Sequence, residues 1–274
     1  MHSSAALAYT SNETEPAAAE RLLSVRDVSI QFGGIVALDN VTFGLQKGHI
    51  LGLIGPNGAG KTTLFNCLTR LYTPNAGAIE FAGRNILDQS ASRITSLGIA
   101  RTFQNLALFR TMSVLDNVRV GGHAQSRSDF FSDSLHLPWV RREEGALEQT
   151  AWELIDYLNL REVAHRCVAD LPFGTQKRVE LARALAAKPK LLLLDEPAGG
   201  LNHHEVGDLG ALIRRIRDER QITVLLVEHH MNLVMSISDR VVALDFGRKI
   251  AEGTPAEVRK DPEVIRAYLG TGAA

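Results

Sequence analysis

Four short apolar runs punctuate the chain: Ile50 to Ile54, Leu191 to Leu194, Thr223 to Val227 and Arg240 to Leu244. Runs of this length without polar alternation predict buried strands, and the helical stretches between them predict a mostly parallel sheet drawn from distant segments. Nearer the N-terminus the pattern changes. Val25-Arg-Asp-Val-Ser-Ile30 and Val41-Thr-Phe-Gly-Leu45 alternate apolar and polar positions around Gly33-Gly34, which predicts antiparallel strands. The Ile50 run is closed by a glycine loop and then by Thr62-Thr-Leu-Phe-Asn-Cys-Leu68, the strand, loop and helix that open an α/β core.

Roughly from Leu106 to Leu171 no run has strand character, and Glu148 to Leu160 is amphipathic, which predicts a helical insertion. Within it, Gly121 to Arg142 is rich in Ser, Gly and Arg, carries Pro138 and has weak periodicity. The expected organisation is a flexible tail over 1–20 and one domain over 21–270. In that domain, 21–105 and 190–270 form the core with its antiparallel part, and 106–189 forms the helical part.

Composition narrows the picture further. At 274 residues the chain suits a single α/β domain with an insertion. A net charge of −1 gives no bulk electrostatic reason to expect nucleic acid as a partner, so binding rests on local sites. Cys67 and Cys167 stand far apart, with no Cys or His at metal spacing, and are expected as reduced core fillers. The apolar runs fall far short of the roughly 18 residues needed to cross a bilayer. Residues 1–20 lack the basic start and apolar centre of a secretory signal.

Gly55-Pro-Asn-Gly-Ala-Gly-Lys-Thr62 satisfies the P-loop pattern in full, between a predicted strand and a predicted helix. In such a loop, glycines let successive N–H groups point inward, the following helix adds its positive end, and the lysine brings a full charge to the β- and γ-phosphates. The expected nucleotide-binding residues are Gly55, Pro56, Asn57, Gly58, Ala59, Gly60, Lys61, Thr62 and Thr63, with the Thr62 hydroxyl on Mg²⁺. A P-loop alone does not say which nucleotide is bound or what for. Leu191 to Leu194 ends in the adjacent carboxylates Asp195 and Glu196. Alone, such a pair reads as a solvated strand end. Coupled to a P-loop, it reads as Asp195 holding Mg²⁺ through water and Glu196 acting as general base or orienting the attacking water.

From Leu22 to Gly270 the order of motifs resembles the ATP-binding cassette (ABC) family. After the P-loop come Arg101-Thr-Phe-Gln104 at the Q-loop and Leu171-Pro-Phe-Gly-Thr-Gln176 at the signature. Asp195-Glu-Pro197, Ala198-Gly-Gly-Leu-Asn202 as the D-loop and Glu228-His229 at the switch histidine follow. The resemblance implies the ABC ATPase fold: an α/β P-loop NTPase core with a mostly parallel sheet, an antiparallel β-subdomain and a helical insertion. It implies ATP and Mg²⁺ as cofactors and ATP hydrolysis as the reaction. Gln104 would join Thr62 and Asp195 on the metal, His229 would hold the attacking water with Glu196, and Phe32 would stack on adenine. Leu171, Pro172, Phe173 and Gly174 would face the ATP of a partner cassette, with Asn202 in the D-loop. His230 is expected at the surface.

The signature departs from the family's Leu-Ser-Gly-Gly-Gln, because Pro172 stands at the serine position. Proline has neither hydroxyl nor N–H, although its φ suits a helix start. The resulting expectation is a weakened composite site and, with Lys61, Asp195, Glu196 and His229 intact, a heterodimer. His49, His203 and His204 also depart from the family's usual residues, and no function is attached to them.

Within the family the likeness is to the larger ATP-binding subunit of branched-chain amino acid importers. It rests on Phe32-Gly-Gly34, Phe65-Asn-Cys-Leu-Thr69, Leu108-Phe-Arg110, Glu228-His-His-Met231 and the tail from Asp261 to Gly270. This implies a second ABC ATPase subunit, two transmembrane permeases and, indirectly, a solute-binding protein, at the cytoplasmic face of the inner membrane. Open alternatives are a soluble ABC ATPase, another P-loop class such as a kinase or GTPase, a binding-only cassette, and another cargo such as urea or a lipid.

Overall fold

The glycine pair of the first alternating segment forms a hairpin turn. Gly33 and Gly34 sit at φ 52° and 89°, the positive pair that a two-residue type I′ connection requires. They join β1 (Arg21–Phe32) to β2 (Ile35–Gln46), and β4 (Ala76–Phe81) pairs with the other edge of β1, followed by β5 (Arg84–Asn85). The result is an antiparallel sheet of order β2-β1-β4-β5. This computed structural model describes residues 20–104, 106–123 and 138–269, with side chains described except over 138–143.

A second sheet contains β3 (Ile50–Ile54), β6 (Ile99–Arg101), β7 (Leu191–Asp195), β8 (Thr223–Val227), β9 (Arg240–Asp245) and β10 (Arg248–Gly253). Its order is β10-β9-β3-β8-β7-β6. Every pairing is parallel except β10 on β9. All residues of β3, β7 and β8 are buried, which is why these strands read as unbroken apolar runs. Because successive side chains point to opposite faces, Leu51, Leu53, Leu191 and Leu193 pack on one side with α1 (Lys61–Leu68) and the antiparallel sheet. Ile50, Ile54, Leu192 and Leu194 pack on the other side with the helical insertion.

That insertion is built from α3 (Val114–Gly122), α4 (Pro138–Tyr157) and α5 (Phe173–Ala186), which follow α2 (Ala91–Leu97). The helix expected from Glu148 begins earlier, at Pro138, where the missing N–H costs nothing in a first turn. Residues 124–137 of the weakly patterned segment, and 1–19 of the expected tail, lie outside the described residues. The chain closes with α6 (His203–Arg220), α7 (Met231–Ile237), α8 (Pro255–Val258) and α9 (Pro262–Leu269).

One expectation needs correcting. Cys67 is buried in α1, but Cys167 is only half-buried, its thiol donating to the Arg110 carbonyl at 2.9 Å. It stands on the loop before the signature, in an isolated bridge with Ser113 and just ahead of the short turn Val168–Asp170.

Candidate nucleotide site

Parallel pairing brings the carboxyl ends of β3, β6, β7 and β8 to one edge of the sheet, the edge where open α/β sheets bind ligands. The register is close: Leu53 and Asp195 both pair with Val227. The segments that follow these four strands carry the P-loop, Gln104, Glu196 and His229.

At the end of β3 the chain turns through Gly55 at φ 150°. A Cβ there would lie 2.2 Å from the Leu244 carbonyl oxygen, so only glycine fits. Pro56, Asn57, Gly58 and Ala59 carry the loop to Gly60, the N-cap of α1. Lys61, buried on the first turn, donates from Nζ to the Gly55 and Pro56 carbonyls at 2.7 and 2.8 Å. Burial pushes its pKa down, opposed by the carboxylates of Glu196 and Asp195. Thr62 is exposed and Thr63 half-buried on the same turn.

Asp195 is nearly sealed, its side chain 4% exposed, and its Oδ2 accepts from Arg101 Nη2 at 2.6 Å. The same guanidinium donates through Nη1 to Asn66 Oδ1 on α1 at 2.7 Å and lies over the rings of Phe65 and Phe103. One cation thus ties β6, β7 and α1 together and supplies the partner that a buried carboxylate requires. The sequence placed Arg101 only as the start of the Q-loop motif. Its pairing with Asp195 spans 94 positions and has no local signature.

Glu196 is held in the left-handed region at φ 48°. Its Oε2 accepts from Gln104 Nε2 at 2.7 Å, and its Oε1 lies 2.6 Å from His229 Nε2. Behind His229 stands Glu228, a carboxylate the sequence suggested only as the neighbour of the histidine. It is 1% exposed. Its Oε2 accepts the N–H groups of His229 and His230 at 2.8 and 3.1 Å, and its Oε1 accepts that of Ala198 at 2.6 Å. This carboxylate fixes the start of the D-loop and the histidine turn to each other. His230 is exposed, as expected.

Thr62, Asp195 and Gln104 offer a hydroxyl, a carboxylate and an amide oxygen. This hard, sparse donor set suits a magnesium ion that keeps waters and takes phosphate oxygens. Phe32, at the end of β1, is 45% exposed and packs edge-to-face on Tyr72 with ring centroids 5.1 Å apart.

The signature residues lie together elsewhere. Leu171 is buried, Pro172 is the N-cap of α5 at φ −56° with no side-chain cap bond, and Phe173 and Gly174 begin the helix. Asn202 caps α6 in a reciprocal capping box, its Oδ1 accepting the Glu205 N–H at 3.0 Å while its own N–H donates to Glu205 Oε2 at 2.9 Å. A Cβ on Gly200, at φ 80°, would sit 2.8 Å from the Phe173 ring, so the signature and D-loop of one chain pack against each other.

A P-loop, a paired carboxylate strand end and a histidine joined on one sheet edge, with a helical insertion opening at a signature helix, define an ATP-binding cassette. Residues 38–199 match the ABC transporter family model, and the chain belongs to that family of ATP-binding, ATP-hydrolysing transport subunits. A second model, the branched-chain amino acid ATP-binding cassette transporter, matches residues 248–274. The high-affinity branched-chain amino acid transport ATP-binding protein BraF of Pseudomonas aeruginosa is 42% identical, covering 91% of this chain and 98% of its own. LivG of Escherichia coli, with the same description, is 43% identical at the same coverage. A solved structure, the ADP conformation of MJ1267, an ATP-binding cassette of an ABC transporter, is 29% identical with a TM-score of 0.79, covering 91% of this chain and 99% of that one. Among the described residues no helix is long and apolar enough to cross a membrane.

Proposed function

We propose that the chain is the ATP-hydrolysing subunit of an importer for branched-chain amino acids, working with a second, non-identical cassette and two permeases at the cytoplasmic face of the membrane. A solute-binding protein would act on it only through those permeases. In this reading 21–105 and 190–270 form the nucleotide-binding core and 106–189 the helical subdomain. The observation that carries hydrolysis is Glu196 held between Gln104 at 2.7 Å and His229 at 2.6 Å. Lys61 and the loop N–H groups bind the phosphates, Glu196 accepts a proton from the attacking water, and His229 fixes the carboxylate and meets the γ-phosphate. Bound Mg²⁺, held by Thr62, Asp195 and Gln104, would offset phosphate charge. Phe32 would meet adenine with its exposed ring.

Cargo follows from likeness to BraF and LivG over 98% of their lengths and from the matched C-terminal segment. The permease contact is supported by Phe103 and Phe109, 39% and 49% exposed on either side of Gln104. The heterodimer is supported by Pro172, which leaves the serine position of the signature without a hydroxyl while Lys61, Asp195, Glu196 and His229 are intact.

Uptake of labelled leucine, isoleucine and valine by cells carrying the assembled transporter tests this, with Glu196→Gln in this chain expected to stop it. Unchanged uptake of all three, with loss of a different solute, would overturn the cargo but not the ATPase. Recovery of the chain from detergent-solubilised membranes without any permease would favour a soluble cassette.

A further inference from the structure

The C-terminal segment takes no part in the chemistry above, yet it reaches the P-loop. In α9, Val264 is buried, and the Asp261 side chain accepts the N–H groups of Glu263 and Val264 at 2.8 and 3.3 Å. These contacts set the helix in place. Near its far end Tyr268 turns its hydroxyl to the first P-loop residue: the Gly55 N–H donates to Tyr268 Oη at 2.7 Å, across 213 positions of sequence. The carbonyl of the same Gly55 is one of the two that hold Lys61 Nζ. Gly55 is thus gripped at both its polar ends, by the invading helix on one side and by the phosphate-binding lysine on the other.

A second brace comes from the turn between β9 and β10, where the Gly247 N–H donates to the Ala59 carbonyl at 3.1 Å. Between loop and helix lies a cavity of about 330 Å³, lined by Pro56, Asn57, Phe246, Glu263 and Arg266, so α9 does not simply pack flush against the loop. Gly55 has no side chain to fix its peptide plane, and at φ 150° it sits where other residues are strained. What orients that peptide is the acceptor its N–H finds. Pro56 has no N–H, so the next N–H groups of the loop are those from Asn57 onward, on the path that this peptide begins.

We propose that Tyr268 is a positioning residue for the P-loop, through which the C-terminal segment sets the affinity of the cassette for nucleotide. The proposal needs the loop to bind ATP but no particular cargo or partner chain. Partial burial raises the phenol pKa, opposed by the Gly55 N–H, so the hydroxyl stays protonated at neutral pH and acts as a neutral acceptor.

Tyr268→Phe removes the oxygen and keeps the ring. In the full chain it is expected to weaken ATP binding by about 3- to 10-fold, the worth of one neutral hydrogen bond. Exchange of the Gly55 amide hydrogen should speed up alongside, while kcat at saturating ATP in the assembled transporter stays unchanged. Leu269→Ala, on the same helix at a position 72% exposed, should leave both affinity and exchange as they were. Unaltered ATP affinity and Gly55 exchange in Tyr268→Phe, even with a lowered Tm, would reduce Tyr268 to a packing role and overturn the proposal. A loss of affinity equal in Leu269→Ala would do the same.

Discussion

Two regions of the molecule, the P-loop site and the signature proposed to face a partner's ATP, are built on different principles. The region around its own P-loop is cross-linked in depth: Arg101 joins three elements at Asp195, Glu228 staples two loops, and Glu196 is bracketed by Gln104 and His229. The region from Leu171 to Gly174 is a helix start, and its helix begins without a side-chain cap. It is braced by Phe173 against Gly200, by the Lys177 ammonium over the Phe173 ring and by Gln176 Nε2 donating to the Leu171 carbonyl at 2.8 Å, with no buried ion pair of the Arg101–Asp195 kind among its described residues. Residues that perform proton transfer have to be held within a few tenths of an ångström on rigid strands. A surface that meets another chain's ligand has to be presented. The difference in construction fits the proposed division of labour.

The largest test of the comparison is Glu196→Gln, expected to lower this chain's ATP turnover by about 10²–10⁴-fold, as loss of a general base does, with nucleotide binding retained. Steady-state ATPase assays on the assembled transporter check it, and an equal loss from the corresponding glutamate of the second cassette would break the asymmetry. Next is Arg101→Met, which leaves a sealed carboxylate unpaired and should destabilise the fold by about 3 kcal/mol. Denaturant unfolding measures it, and adding Asp195→Asn should recover part of the loss. A milder change is Pro172→Ser, which restores a hydroxyl where it can donate to a phosphate. With Glu196→Gln silencing this chain's own site, turnover at the partner's site should rise about tenfold. No rise would mean that the proline does not limit that half. The smallest effect is at the thiols, Cys67 on α1 beside the P-loop and Cys167 on the loop before the signature. Burial pushes the Cys67 pKa up to about 11, so alkylation near pH 8 should mark Cys167 and spare Cys67 in the folded chain. A thiol whose folded pKa lies above its unfolded value contributes stability fully below the unfolded pKa of about 9. That contribution is lost as pH rises toward 11, and a melt series over that range reads it.

How far the sequence could be read follows from the reach of each interaction. The P-loop is legible because all its working parts lie within eight neighbouring positions. The central strands are legible because burial on both faces leaves them apolar except at an end, Asp195 closing β7 and Thr223 opening β8. His229 and Gln104 emerged from their place in an order of motifs, since neither stands out locally. β6 is three residues long, too short to show a period, and β4 passes through Gly77 and Ala78 with little alternation. Arg101 with Asp195, and Tyr268 with Gly55, join residues 94 and 213 positions apart. Nothing in either neighbourhood announces its partner, because a buried ion pair or an N–H acceptor is chosen by three-dimensional proximity alone. Cys167 is half-buried rather than in the core because it falls in a loop, and an apolar residue type alone does not say whether it lies on a packed element or on a connection.

Glu196 sits at φ 48°, a backbone conformation that costs a side-chain-bearing residue about 1–2 kcal/mol and a glycine almost nothing. Robustness and chemistry therefore pull in opposite directions at this one position. Replacing the whole side chain with hydrogen would relieve that strain, but it would also remove the hydrogen bonds to Gln104 and His229 and leave a protein that grips ATP and cannot spend it.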